Sequence, residues 1–356
     1  MTTQIDQSKA EAFAGRMIGN LNGAGLTFLT SVAYRTGIFE TMAKIKPSTS
    51  REIAKAAGLN ERYVRECLGG LVVGKVVEYD ASTKKYSLPP EHGAFLTKEA
   101  GPDNLALFAQ LIPLIGTVED ELVECFRKGG GVPYSSYPRF SEVMAETSAP
   151  LYDHLLVKKM IPLVPGLRER LEKGIDAADV GTGAGHAINV LAKAFPKSRI
   201  VGYDFSEEGI KRGSDEAKAW GLRNARFEAK DVAKLGQKEA FDLVTAFDAI
   251  HDQARPRVVL KGIYDALRPG ETFLMMDEGA SSLLEENADG VIAPLLYTFS
   301  TFHCMTVSLA YGGEGLGTCW GKQKAEELMA EAGFKDISVE TVEGDIEHYY
   351  YVAWKR

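Results

Sequence analysis

Cysteine is scarce. The four residues Cys67, Cys125, Cys304 and Cys319 form no C-x-x-C pair, which excludes a cysteine-based zinc module and a disulfide framework and predicts a core-held fold in a reducing compartment. Basic charge is also in deficit, because 41 Lys and Arg against 49 Asp and Glu leave a net charge of −8. That balance argues against a general polyanion binder. Long apolar runs are missing as well: the longest, Leu105 to Gly116, is too short for a bilayer and contains Pro113, so a buried helix and no membrane segment are expected. The opening residues, Met1 to Phe13, lack the charged-then-apolar plan of a signal peptide, and a cytoplasmic location is predicted. What the chain has in quantity is glycine, 36 residues in 356, and a hydrophobic content of 45%. That suffices for the cores of about two domains.

The densest glycine cluster organises the chain. An apolar and acidic lead-in, Ile175 to Val180, runs into Gly181-Thr182-Gly183-Ala184-Gly185, and His186 to Ala192 then carries helical periodicity. The pattern is a strand, a tight turn and a helix N-terminus. Glycine suits such a turn because it accepts positive φ and lets a ligand approach bare backbone. A dinucleotide fingerprint would read G-x-G-x-x-G. Here the third glycine comes one residue early, Asp179 precedes the first, and Asp204 closes a second apolar run, Ser198 to Tyr203. Asp204 stands near the ~20-residue interval at which nucleotide-binding units place a ribose-binding acid.

From Gly174 onward strands alternate with helices, which predicts an α/β unit with a parallel sheet covered on both faces. The third strand is Ala225 to Asp231, and the fourth, Phe241 to Phe247, is almost wholly apolar, as a central parallel strand should be. Ligands of open α/β sheets lie at the carboxyl ends of the strands, and there the fourth strand offers Asp248, His251 and Asp252. A neutral imidazole can take a proton at physiological pH, with the neighbouring carboxylate orienting the ring. After the fifth strand, Glu271 to Glu278, the segment Ser281 to Gly321 mixes aromatics with isolated polar groups, Tyr297, His303 and Cys304 among them, as pocket linings do. His303 and Cys304 have no partner at zinc spacing, so no metal is expected. A helix, Lys322 to Ala332, and two last strands, Phe334 to Val339 and Tyr349 to Trp354, complete this half.

The front half reads differently. Residues 8–43 are helical, with apolar residues on more than one side, including Phe13, Met17, Leu21, Phe28 and Val32. This predicts burial, either in a dimer contact or in the domain's own core. Ser50 to Leu59 and Glu61 to Leu71 form two short helices, and Lys75 to Asp80 pairs with Lys84 to Leu88 as a hairpin; together they make a winged helix. Its second helix, opening Glu61-Arg62-Tyr63-Val64-Arg65-Glu66, alternates charge sign rather than presenting basic and amide side chains to bases. A nucleic-acid partner is therefore not expected. Residues 99–173 are mostly helical, broken by the Gly- and Pro-rich loop 128–138.

The glycine turn with Asp179 and Asp204 resembles the first two motifs of class I S-adenosylmethionine-dependent methyltransferases. The resemblance implies a Rossmann-like, seven-stranded, mostly parallel sheet at residues 166–356, with a substrate-recognition insert at 281–321. A mainly α winged-helix and dimerisation domain would occupy residues 1–165. The implied cofactor is S-adenosylmethionine. Asp179, Gly181, Thr182, Gly183 and Gly185 would hold its amino acid end, Asp204 its ribose and Asp231 its adenine, with Phe205, Val232, Phe247 and Asp248 also at the cofactor.

The winged-helix segment resembles the N-terminal domain of small-molecule O-methyltransferases, in which such a unit dimerises and walls the substrate pocket. Phe140-Ser141-Glu142-Val143-Met144 is similar to their F-N-x-x-M pattern, with Ser141 in place of Asn, and places Phe140 and Met144 near the methyl donor. Tyr152 and His154 lie on the next helical stretch. His251-Asp252 resembles the H-D pair whose histidine deprotonates the acceptor, with Gln253 in place of the usual Trp. Tyr297, His303 and Cys304 would complete the substrate side. The S-x-x-H-C-M and G-x-G-x-G patterns of the insert are similar to a bacterial group with mostly unassigned substrates. The implied function is direct methyl transfer to O, S or C of a small molecule. Two alternatives stand beside it: an S-methyltransferase of a small thioether acid of the dimethylsulfoniopropionate type, and a winged-helix regulator that binds S-adenosylmethionine without catalysis.

Overall fold

The computed structural model describes residues 5–356, which divide into two compact units, one ending at Leu114 and one running Ile115–Arg356. The first is mainly helical. Its long opening helix, Gln7–Arg35, is capped by the Asp6 side chain, which accepts from the Lys9 amide. It ends sooner than the apolar pattern suggests, because Gly37 adopts φ 72° and turns the chain into a separate helix, Ile38–Lys44. That turn drives Ile38, Phe39 and Met42 into the core with Ile53, Leu68 and Leu71.

Ser50–Ala57 starts at a reciprocal Thr49/Glu52 capping box and stops at Gly58, φ 68°. Glu61–Val73 is capped by Asn60. Strands β1 (Glu78–Asp80) and β2 (Lys85–Ser87) form the antiparallel wing, with Tyr79 opposite Tyr86. The opening helix does not meet the expectation of burial within this unit. Only Ser31 and Ala33 of it are buried, while Phe13, Ile18 and Leu21 stand exposed. On the second helix of the winged unit, Arg62 pairs with Glu66 and Arg65 with Glu61 at 3.4 Å, so both arginines are already engaged.

The second unit is built on one seven-stranded sheet. In chain order its strands are β3 (Asp176–Val180), β4 (Arg199–Asp204), β5 (Ala225–Ala229), β6 (Phe241–Phe247), β7 (Leu267–Glu278), β8 (Lys335–Glu340) and β9 (His348–Trp354). Their spatial order is β5-β4-β3-β6-β7-β9-β8. The first five run parallel, and β9 is antiparallel to both β7 and β8. Central residues Leu243, Val244 and Ala246 are fully buried, because helices cover both faces.

One face packs Val259, Leu260, Ile263, Leu328 and Met329 on the sheet. The other packs Leu156, Leu167, Ile188 and Leu191. Because β3 has β4 on one side and β6 on the other, the order reverses at β3, and the crevice opens at its carboxyl end. The segment 281–321 is largely helical, and the loop 128–138 is tied to it. The Val132 amide donates to Thr306 Oγ1 at 2.9 Å, the Tyr137 hydroxyl donates to the Phe302 carbonyl at 2.5 Å, and a Cβ on Gly131 would lie 1.9 Å from the Thr306 carbonyl oxygen. No helix among the described residues is long and apolar enough to cross a membrane.

Candidate active site

The crevice at the end of β3 is a cavity of about 620 Å³, walled by the glycine turn, the end of β6 and the segment 134–152. Each glycine of the turn has its own reason. Gly181, Gly183 and Gly185 have φ of 78°, 53° and 75°. A Cβ on Gly181 would fall 2.4 Å from that of Ala249, and one on Gly185 would fall 2.3 Å from the Phe227 ring, so these two are packing requirements. Gly183 faces open space on the cavity side and leaves the backbone approachable.

Asp204, at the end of β4, is fixed by two amides: Gly183 donates to Oδ2 and Ser206 to Oδ1, each at 2.8 Å. Burial raises its pKa, and those backbone donors pull it back. Asp179 is 2% exposed and accepts from the Thr245 hydroxyl at 2.6 Å. Burial pushes its carboxyl up to about 6. Asp248 follows β6 at φ 49°, left-handed backbone that a non-glycine residue adopts only under constraint. It lines the cavity, with Oδ1 buried and unpaired and Oδ2 3.4 Å from His348 Nε2. Bare backbone, a buried and anchored acid and an orphaned carboxylate oxygen on one crevice fit a ligand that carries ribose hydroxyls and an ammonium group.

Beyond the turn, Tyr134, Tyr137, Phe140 and Phe205 form an aromatic wall, with Tyr134 5.2 Å from Phe205 and 5.9 Å from Phe140, centre to centre. Asp252 shares this wall and accepts from the Tyr134 hydroxyl at 3.1 Å. Behind Asp252 lies His251, buried and outside the cavity lining, with Nδ1 2.8 Å from Asp277 Oδ1 and Nε2 3.3 Å from Asp252 Oδ1. Burial alone would depress the imidazole, but the Asp277 and Asp252 carboxylates outweigh it and hold the ring well above its ordinary value. The expectation placed His251 at the acceptor; its ring is not part of the cavity lining. The ring lies buried between two carboxylates, and Asp252 is the member of the pair at the cavity.

Of the other expected residues, Gly181 to Gly185, Phe205, Val232, Phe247, Phe140, Met144 and Tyr152 line the cavity with Asp179, Asp204, Asp248 and Asp252. Asp231 lies outside it. Its side chain accepts from the Ala233 amide at 3.0 Å and sits 3.4 Å from both Arg255 and Lys234, because it caps a short turn. Tyr297 is engaged with Asn287 at 3.2 Å, away from the lining. His154 is turned to the Pro150 carbonyl. His303 is buried behind the wall, stacked on Phe140 at 4.0 Å, and burial pushes its pKa down to about 4. Cys304, also buried, has its thiol pushed up to about 12 by burial.

Tyr134, Asp277 and Trp320 were not singled out by the sequence. Tyr134 belongs to a loop that reads only as a break in helical pattern. Asp277 carried a signal nonetheless: an acid closing the apolar run Phe273-Leu274-Met275-Met276 must be buried and therefore paired.

Comparison with known proteins agrees with this geometry. Residues 24–98 match the family described as "Rv2258c-like winged HTH domain", and residues 171–333 match the family described as "Methyltransferase domain". A trans-aconitate 2-methyltransferase of Variovorax paradoxus is 33% identical over 109 residues, which is 29% of this chain and 38% of that protein's length. Among solved structures, a candidate O-methyltransferase from Nostoc punctiforme superposes with a TM-score of 0.74 at 19% identity, covering 96% of this chain and 98% of the other. Human N-acetylserotonin methyltransferase, solved with S-adenosylmethionine, superposes with a TM-score of 0.69 at 18% identity, over 100% and 99% of the two chains. The chain therefore carries a winged helix-turn-helix domain followed by a class I, S-adenosylmethionine-dependent methyltransferase domain. Methyl transfer from S-adenosylmethionine is the chemistry of that second domain.

Proposed function

We propose that the protein methylates the hydroxyl of a small, flat or aromatic molecule. The observation that carries this reading is Asp252, which sits among aromatic rings on the wall of the cavity that also contains the glycine turn. S-adenosylmethionine supplies an already activated methyl group, so the chain's own residues need only bind, align, exclude water and accept one proton. In this reading Asp179, Asp248 and the turn hold the amino acid end, Asp204 the ribose, and Val232 and Phe247 flank the adenosyl group. Tyr134, Phe140, Met144 and Tyr152 bracket the acceptor. Asp252 takes the hydroxyl proton, with His251 Nε2 3.3 Å behind it. N-acetylserotonin methyltransferase, whose name gives it a small aromatic substrate, has the same fold.

A thioether acid fits less well, because the cations on the cavity are engaged: Arg139 pairs with Glu142, Arg212 with Glu208, and His186 with Asp153 and Glu216. A DNA-bound regulator fits less well because the arginines of the winged unit's second helix are paired within their own helix. The same reading takes the protein as a cytoplasmic homodimer, in keeping with free cysteines and an exposed apolar stripe on the opening helix.

The test is S-adenosylhomocysteine release from small phenols and matched thiols or thioethers. Hydroxyl acceptors should turn over and the Asp252→Asn variant should lose ~10²–10⁴ in kcat with cofactor affinity kept. A full rate in that variant, or turnover of sulfur acceptors alone, would overturn the proposal.

A further inference from the structure

A cluster of metal-ligating side chains includes Asp252 and extends behind it from the cavity wall. His251, Asp252 and Cys304 each bring one ligand-type atom to a cluster in which all three lie within 4.8 Å of one another. His251 and Cys304 are buried, and Asp252 Oδ1 is buried without a hydrogen-bond partner although it stands 3.3 Å from His251 Nε2. Two nitrogen or oxygen ligands on one tetrahedral zinc ion, each at roughly 2.0–2.2 Å, stand about 3.3 Å apart. The spacing already present is thus that of a metal pair.

We propose that His251, Asp252 and Cys304 form a zinc site with three protein ligands and a fourth position open toward the cavity.

The surroundings of His251 support this assignment. Its Nδ1 is 2.8 Å from Asp277 Oδ1, and that same oxygen accepts from the Trp320 indole at 2.9 Å and the Glu278 amide at 2.9 Å. A histidine whose far nitrogen is fixed by an anchored carboxylate is the arrangement that orients metal-binding imidazoles and raises their basicity. The donor set of one imidazole, one carboxylate and one thiolate suits zinc, and not the all-oxygen preference of magnesium or calcium. Charge closes as well, since a dication balances one carboxylate and one thiolate.

His303 Nδ1 lies 3.8 Å from Asp252 Oδ2 but is not part of the mutually close group. Three protein ligands and an open place are the pattern of zinc sites that act on a substrate. Asp252 is the ligand that borders the cavity, so the open place faces it. Spacing in the sequence hides the site, because two ligands follow β6 and the third comes from the insert. Binding displaces the Cys304 thiol proton to solvent, while His251 coordinates through Nε2 and its Nδ1 stays on Asp277. The role of the open position, holding water or the acceptor's heteroatom, rests on the proposed methyl transfer; the site itself does not.

The experiment uses the full chain, stripped with a chelator and titrated with zinc or cobalt(II). Binding of about one equivalent with proton release, and a cobalt form with a sulfur-to-metal charge-transfer band, are expected. Cys304→Ser should abolish that band while retaining S-adenosylhomocysteine binding by calorimetry, which shows that the variant is folded. Asp277→Asn should weaken zinc ~10–100-fold. Failure to bind stoichiometric zinc at micromolar concentration, or a charge-transfer band that survives Cys304→Ser, would overturn the site. Turnover of hydroxyl acceptors by the stripped protein would leave the proposed function standing while removing the metal from it.

Discussion

At the scale of single residues, the informative groups are carboxylates whose environments differ. Asp179 is buried beneath the glycine turn and its carboxyl is raised to about 6. The sign follows from where the proton sits. An aspartate with a folded pKa above its unfolded value binds a proton more tightly in the native state, so this group's contribution to stability is present below about pH 4 and is lost as pH rises through about 6. Ligand binding runs the other way. If Asp179 meets the cofactor's ammonium group, it must be ionised, and affinity for S-adenosylhomocysteine should rise as pH climbs through about 6, with a loss of roughly tenfold at about pH 5. Calorimetric titrations at several pH values check this. Asp179→Asn should bind more weakly and flatten the profile, and a wild-type affinity constant across that range would remove Asp179 from the ammonium site.

At the scale of elements, the turn joining β3 to the helix His186–Ala194 shows what sequence can and cannot convey. Its glycines mark a strand-turn-helix, and Asp204 marks the next strand end, because backbone conformation and chain order act over short distances. The functions of individual glycines were not legible, since they depend on Ala249 and Phe227, which arrive from other strands. This yields contrasting outcomes. Gly185→Ala adds a Cβ 2.3 Å from Phe227 at φ 75°, so it should cost about 1–3 kcal/mol in denaturant unfolding. Gly183→Val, in open space on the cavity side, should mainly abolish cofactor binding; intact binding by that variant would put the ligand elsewhere.

The same limit explains Asp231 and His251. The alternation of strand and helix placed both just beyond strand ends of a mostly parallel sheet, while the strand order itself came from the structure. Their side-chain directions depended on Arg255 and on Asp277, which the local sequence does not connect to them. The wing and its two helices were legible because Gly58 and Asn60 act within a turn of the helices they bound; the Thr49/Glu52 capping box was not singled out. The break at Gly37 was not, because the apolar pattern runs across it.

At the scale of the whole molecule, the opening helix packs its C-terminal part on the first unit's core and leaves an apolar stripe uncovered. It has 29 residues, which makes it about 43 Å long, yet only Ser31 and Ala33 of it are buried. Phe13, Met17, Leu21, Phe28 and Val32, all exposed, follow one another at intervals of 4, 4, 7 and 4 residues, so they share one stripe roughly 100° wide. A continuous apolar stripe of that length in water favours association, and a second copy of the same helix offers the matching surface by two-fold symmetry. Sedimentation equilibrium should therefore find a dimer at micromolar concentration. The double change Leu21→Glu and Phe28→Glu places like charges across such a contact and should give a monomer, with S-adenosylhomocysteine affinity unchanged because the glycine turn belongs to the other compact unit. A wild-type monomer at high concentration would show that the stripe serves another purpose. A dimer indifferent to both glutamates would place the interface on a different surface.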